Sequence, residues 1–174
     1  ALGAKSMLRV LIYVTVLVFM NGCAIIKELH TEESAKKSWG KMCYPSFQKH
    51  VRNLSGKGVV NCGFFSNLSN NDKKQYVQNC AEKVVNSGKP YIFGHRAQGD
   101  DSIFCDVAIR DIDGNLWSFF YDSDISGGSG GPSALWISEC KSIAMQPGTI
   151  AQDSFFDLQN CTERTDIRNK VFGE

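Results

Sequence analysis

The sequence lacks several features that would each have fixed a function class early. Neither sign of charge is in excess, with 19 Lys and Arg against 18 Asp and Glu. That balance argues against a dedicated nucleic-acid binder, which carries a clear basic surplus. Histidine is scarce, at three residues, and no Cys–Cys or Cys–His pair has the two-to-four-residue gap of a zinc knuckle. Four prolines are too few for a proline-rich linker, and neither repeats nor low-complexity tracts occur. The one long apolar run stops short of the ~20 residues that a spanning helix needs. What is present is a chain of 174 residues with 43% hydrophobic side chains, 11% aromatics, 16 glycines and seven cysteines. This is enough for one folded domain, and two independent cores would each be small. Seven cysteines point to an oxidising compartment or a metal.

The first segment bears on the compartment. Lys5 and Arg9 precede an apolar run from Leu11 to Met20, a positive n-region followed by an h-region of signal-peptide length. Met7 is the expected initiator. The run ends at Asn21-Gly22-Cys23, which resembles the lipobox of bacterial lipoproteins at Gly22 and Cys23 and departs from it at Met20 and Asn21. The resemblance implies cleavage after residue 22, lipidation of Cys23 and attachment to the membrane through that lipid. It implies a place in the bacterial cell envelope. Ala24 after the lipid Cys resembles lipoproteins sent to the outer membrane, facing the periplasm. An ordinary cleaved signal and an uncleaved anchor helix are the alternatives.

Removing residues 1–22 takes out Lys5, Arg9 and no acid, leaving 17 basic and 18 acidic side chains on 152 residues. Six cysteines then remain beside Cys23, an even number that reads as three disulfides. Cys62 precedes the linker to an expected helix and Cys80 lies on that helix's apolar stripe, so these two pair. Cys140 ends an expected strand and Cys161 restrains only a tail, so they pair as well. Cys43 is left for Cys105, which would pin the segment after the tether onto the sheet. Each pair requires a Cα separation of about 4.4–6.8 Å.

Residues 23–42 read as a polar tether with a helix expected near 26–38, and residues 43–174 as the domain. Within it, 43–71 holds Pro45, several glycines and many Asn and Ser, and reads as loops with an apolar piece at Val59-Val60. A helix is expected at 72–87, capped by Asn71 or Asp72, because Tyr76, Val77, Cys80, Ala81, Val84 and Val85 form one stripe. Gly88 and Pro90 stop it. Four strands follow at Tyr91–Ala97, Ile103–Arg110, Leu116–Tyr121 and Ala134–Cys140, with a hairpin turn at Asp113-Gly114. The expected fold class is α+β, with one main helix packed on a four-stranded antiparallel meander and stapled by disulfides. Cys105 lies on the Ile103/Val107/Ile109 face, and the helix is expected to cover that same face. After Cys140 the tail is expected to wrap loosely.

Gly127-Gly128-Ser129-Gly130-Gly131-Pro132 satisfies the G-x-S-x-G pattern of a nucleophile elbow. An elbow, however, joins a strand to a helix in a parallel sheet, and here strands flank the loop. Asp122-Ser123-Asp124-Ile125-Ser126-Gly127 mimics the opening of a calcium loop, with Asp122, Asp124 and Ser126 as candidate ligands. Ser133 stands where a bidentate Glu is required, so an EF-hand fails. The turn at 98–102 lies at the same sheet end as the 122–131 loop. Asp101, Ser102, Tyr121, Asp122 and Asp124 are therefore candidates for a shared ligand surface. Q-G-x-D-S followed by Y-D-S-D-x-S-G-G-x-G resembles small exported bacterial domains over residues 60–140, which implies a helix-plus-meander domain and no activity.

Two readings follow. The first is a non-enzymatic, lipid-anchored binding or envelope-interaction module outside the cytoplasm, with an unidentified protein or envelope ligand, no nucleic acid and no cofactor. The second is a small hydrolase using the loop at 122–131, with Ser129 as nucleophile and His95 or Asp101 as helper.

Overall fold

The computed structural model describes residues 31–37, 43–99, 101–127, 131–146 and 154–172. The signal-peptide segment, Cys23 and Ser129 lie outside the described residues. A six-stranded sheet has the order β1 (Val60–Ser66), β2 (Tyr91–Gln98), β3 (Ile103–Arg110), β4 (Leu116–Asp122), β5 (Ala134–Cys140) and β8 (Thr162–Glu163). A separate hairpin joins β6 (Ser142–Met145) to β7 (Phe156–Gln159). The described helices are α1 (31–37), α2 (Phe47–Ser55), α3 (Asn71–Ser87) and α4 (Arg168–Phe172).

The meander from β2 to β5 is antiparallel throughout, as its alternating pattern implies. It is not the whole sheet. β1 pairs with β2 in parallel through the α3 crossover, and β8 closes the opposite edge beside β5. The segment 43–71 is therefore not a run of loops. Phe47, Val51 and Leu54 are spaced at i, i+4 and i+7 and bury one face of α2. The strand that follows is buried over its last five residues. Neither is the tail loose, since it supplies the β6–β7 hairpin, β8, a 3-10 turn at Thr165–Ile167 and α4.

The sheet is covered on both faces. One face packs Phe65, Tyr91, Phe93 and Ala108 against Val77, Ala81 and Val84 of α3, Ala35 of α1, and Phe155 and Phe156 at the hairpin. The other packs Cys105, Val107, Ile109 and Phe119 against Phe47, Val51 and Leu54 of α2 and Val171 of α4. The main helix thus covers the face opposite Cys105, which corrects the expectation of a shared face. Alternation explains the placement: Cys105, Val107 and Ile109 point one way, and the helix follows β1 back over the other. Helix α2, not α3, lies over Cys105.

Helix α3 is capped by Asn70, one residue before the expected cap, whose side chain accepts from the Lys73 amide at 2.9 Å. Over its described residues the segment expected as a tether is helical and packed, with Ala35 fully buried. Its backbone approaches so closely that a Cβ on Gly63 would lie 2.8 Å from it, and Gly63 has φ +92°. Only glycine fits there.

Disulfides join Cys43 to Cys105, Cys62 to Cys80 and Cys140 to Cys161, the three pairs expected from the sequence. Their Cα separations are 6.2, 5.4 and 4.0 Å, the last tighter than expected. Three bridges in one chain suggest an oxidising, extracytoplasmic location. Among the described residues no helix is long and apolar enough to cross a membrane.

Candidate functional site

The loops at 98–102 and 122–127 do share one end of the sheet. Ser123 joins them, donating its amide to the Ile103 carbonyl at 3.0 Å and accepting the Ile103 amide on Oγ at 2.7 Å. Gly127 faces the Asp101 carboxylate, since a Cβ on it would lie 3.9 Å from Oδ2. The side chains nevertheless do not gather into one surface. Asp101 is exposed and Ser102 is buried, while Tyr121 packs on Tyr44 at 4.9 Å across the opposite face.

Asp124 holds the loop together. Its Oδ1 accepts from the amide and hydroxyl of Ser126 at 3.0 and 2.8 Å, and its Oδ2 accepts from the Gly131 amide at 3.1 Å. Asp122 accepts from the Asp124 amide at 2.9 Å. A Cβ on Gly131 would lie 1.9 Å from Ser126 Oγ and 2.0 Å from Asp124 Oδ1, so the close approach requires glycine. These carboxylates cap turn amides, as Asx motifs do. Among the described residues no three His, Cys, Asp or Glu side chains are grouped to hold a metal ion.

Asp111 makes a comparable knot at the other sheet end. It is 2% exposed, and it accepts the Asp113 and Asn115 amides at 3.0 and 2.8 Å, Asn115 Nδ2 at 3.1 Å and Trp117 Nε1 at 2.8 Å. Burial alone would raise its pKa, yet these donors, Trp117 first, hold it below the usual carboxylate value.

The polar group that stands apart is Asp106, mid-strand on β3. It lies opposite His95 of β2 on one side and Phe120 of β4 on the other. Residues in that row alternate with the Cys105 face and share the face of α3 and the hairpin. A cleft of about 440 Å³ opens there, lined by His95, Ala97, Gln98, Gly99, Phe104, Asp106, Phe120 and Ser154. The rings of Phe104 and Phe120 stack at 6.2 Å, and Trp136 extends the aromatic strip at 5.6 Å from Phe120. All three rings are half-buried.

Asp106 is only half-buried as a residue, but its Oδ1 is closed to solvent and accepts no hydrogen bond. Burial pushes its pKa up to about 7; the nearby Asp157 charge adds to the rise and the Val107 amide offsets part of it. His95 is 6% exposed and sits among the rings of Phe65, Phe155 and Phe156 at 5.7–6.3 Å. Of the candidate catalytic residues, His95 thus lies across the strand pair from a carboxylate, but the carboxylate is Asp106 and not Asp101. The nearby hydroxyl of Ser154 donates to the Phe156 carbonyl.

The sequence reading missed Asp106 because the Phe104/Asp106/Ala108/Arg110 register looks like an ordinary solvent face. An acid flanked by Phe104 at i−2 and an apolar residue at i+2 was the available signal. The class defined by this architecture is a disulfide-stapled α+β domain of three layers with an aromatic cleft beside the sheet. No protein-family model matches the chain, and neither a curated protein nor a solved structure does.

Proposed function

We propose that this is an exported, lipid-anchored binding module of the bacterial envelope, whose ligand occupies the cleft between His95, Asp106, Phe104 and Phe120. The observation that carries the reading is the cleft itself. It is concave, walled by aromatic faces and bordered by a buried carboxylate oxygen that accepts no hydrogen bond, the composition of a ligand pocket. The Ser154 hydroxyl bonds a backbone carbonyl, and the acids of the 122–127 loop hold that loop together, which favours binding over hydrolysis. Membrane attachment rests on Cys23 and on the lipobox-like residues before it. Two or more acyl chains would make it durable.

The test of the cleft is photo-crosslinking in cells, with a benzophenone side chain at position 120 or, as control, at the exposed Ile112 of the far turn. A discrete adduct from position 120 and none from 112 is expected. Adducts from 112 alone would contradict the reading. Anchoring has its own test. Cys23→Ala abolishes labelling by a palmitate analogue, and unchanged labelling would sink the lipid anchor.

A further inference from the structure

We propose that the cleft selects an organic cation bearing N–H donors, of the guanidinium or ammonium kind carried by Arg and Lys side chains. This rests on the cleft reading above and names the ligand's chemistry. The carboxylates of Asp106, Asp111 and Asp124 differ in their surroundings. Asp111 accepts four hydrogen bonds and Asp124 accepts three, all from the chain's own donors. Asp106 Oδ1 has none, although it is shut away from water.

A buried acceptor without a donor carries a cost of about 1–3 kcal/mol, more when charged. Asp106 lines an open cleft, so a small shift of its carboxylate would bring that oxygen to an outside donor and remove the cost. Among the described residues that line the cleft, His95 is the one base, and neither Lys nor Arg occurs there. Asp157, close enough to act on Asp106, adds negative charge rather than cancelling it. Ring faces at Phe104 and Phe120 complete the match. A planar or compact cation lies favourably against an aromatic face while its N–H groups reach a carboxylate. An anion would meet repulsion from Asp106. A neutral apolar ligand would leave Oδ1 unpartnered.

The experiment titrates the full chain, 15N-labelled and with its disulfides intact, with N-acetyl-arginine N-methylamide. Its neutral isostere, N-acetyl-citrulline N-methylamide, is titrated in parallel. The arginine probe is expected to shift the amides of Ala97, Phe104 and Phe120, with the citrulline probe at least about tenfold weaker. Asp106→Asn should remove that preference while leaving the cysteines paired. Equal affinity for both probes at these amides would overturn the cation and leave the cleft standing. An absence of shifts from either probe would overturn the cleft reading together with the cation. Should Asp106→Asn fail to fold, the contrast between the two probes on the unaltered protein decides the matter alone.

Discussion

Asp106 and Asp111 are five residues apart in sequence and opposite in their energetics. Asp111 is ionised in a shell of donors, so it stabilises the fold above its unfolded pKa near 4, and that contribution is lost as pH falls through its lower folded value. Asp106 has the reverse sign. Its folded pKa of about 7 lies above the ordinary 3.8. Between those values the folded protein keeps a proton that the unfolded chain has released, so stability declines as pH rises through the window and levels off above it. The paired expectation is asymmetric. Asp106→Asn gains about 1–3 kcal/mol in urea unfolding at pH 8 and little at pH 4.5, because the native carboxyl is then already neutral. Asp111→Asn loses a similar amount, about 1–3 kcal/mol, at pH 8, because backbone and indole donors lose their charged acceptor. Equal effects of the two substitutions at pH 8 would contradict the contrast.

At the scale of elements, the three bridges do different work. Cys43–Cys105 ties the start of α2 to a strand in the middle of the sheet, closing a loop of 62 residues, and Cys105 is fully buried. Cys62–Cys80 fastens α3 to β1 across 18 residues. Chain entropy assigns the longer loop about 4 kcal/mol and the shorter about 3. Cys140–Cys161 differs because Cys161 is exposed. Limited reduction followed by alkylation and peptide mapping should therefore open Cys140–Cys161 first and Cys43–Cys105 last. Opening of Cys43–Cys105 first would show that its burial is not maintained in solution.

The same elements show how far the sequence could be read. Helix α3 and strands β2 to β5 were legible because each repeats one period and is bounded by Gly, Pro or Asp-Gly. Strand β1 was not. Its sequence, VNCGFFS, is buried on both faces, so it shows no alternation, and Gly63 reads as a breaker when it is in fact a contact point for α1. Helix α2 carries a clear Phe47/Val51/Leu54 stripe, which the surrounding Pro, Gly and Asn outweighed. With 43–71 read as loops, α3 is the one helix of the domain left to cover the Cys105 face, and that placement is wrong. Once α2 exists, the Cys43–Cys105 bridge places it over Cys105. The candidate site was legible only in part. His95 was singled out, whereas the burial of Asp106 comes from chain distant in sequence, around Ser154 to Asp157, which no local pattern on β3 records.

For the whole molecule, the core is divided between the two faces of one sheet. Helices α2 and α4 close one side, and α1, α3 and the hairpin close the other. The cleft lies where that second cover meets the row of His95, Asp106, Phe120 and Trp136. The charge state of Asp106 therefore depends on the layers being assembled, and it is read in the intact domain. The most direct measurement is a carbon-detected NMR titration of the Asp106 carboxyl, with and without the arginine probe at saturation. The account predicts a midpoint near 7 in the free protein, falling by about one unit or more when the probe is bound. A midpoint near the ordinary carboxylate value, or one near 7 that the bound probe leaves unmoved, would contradict it.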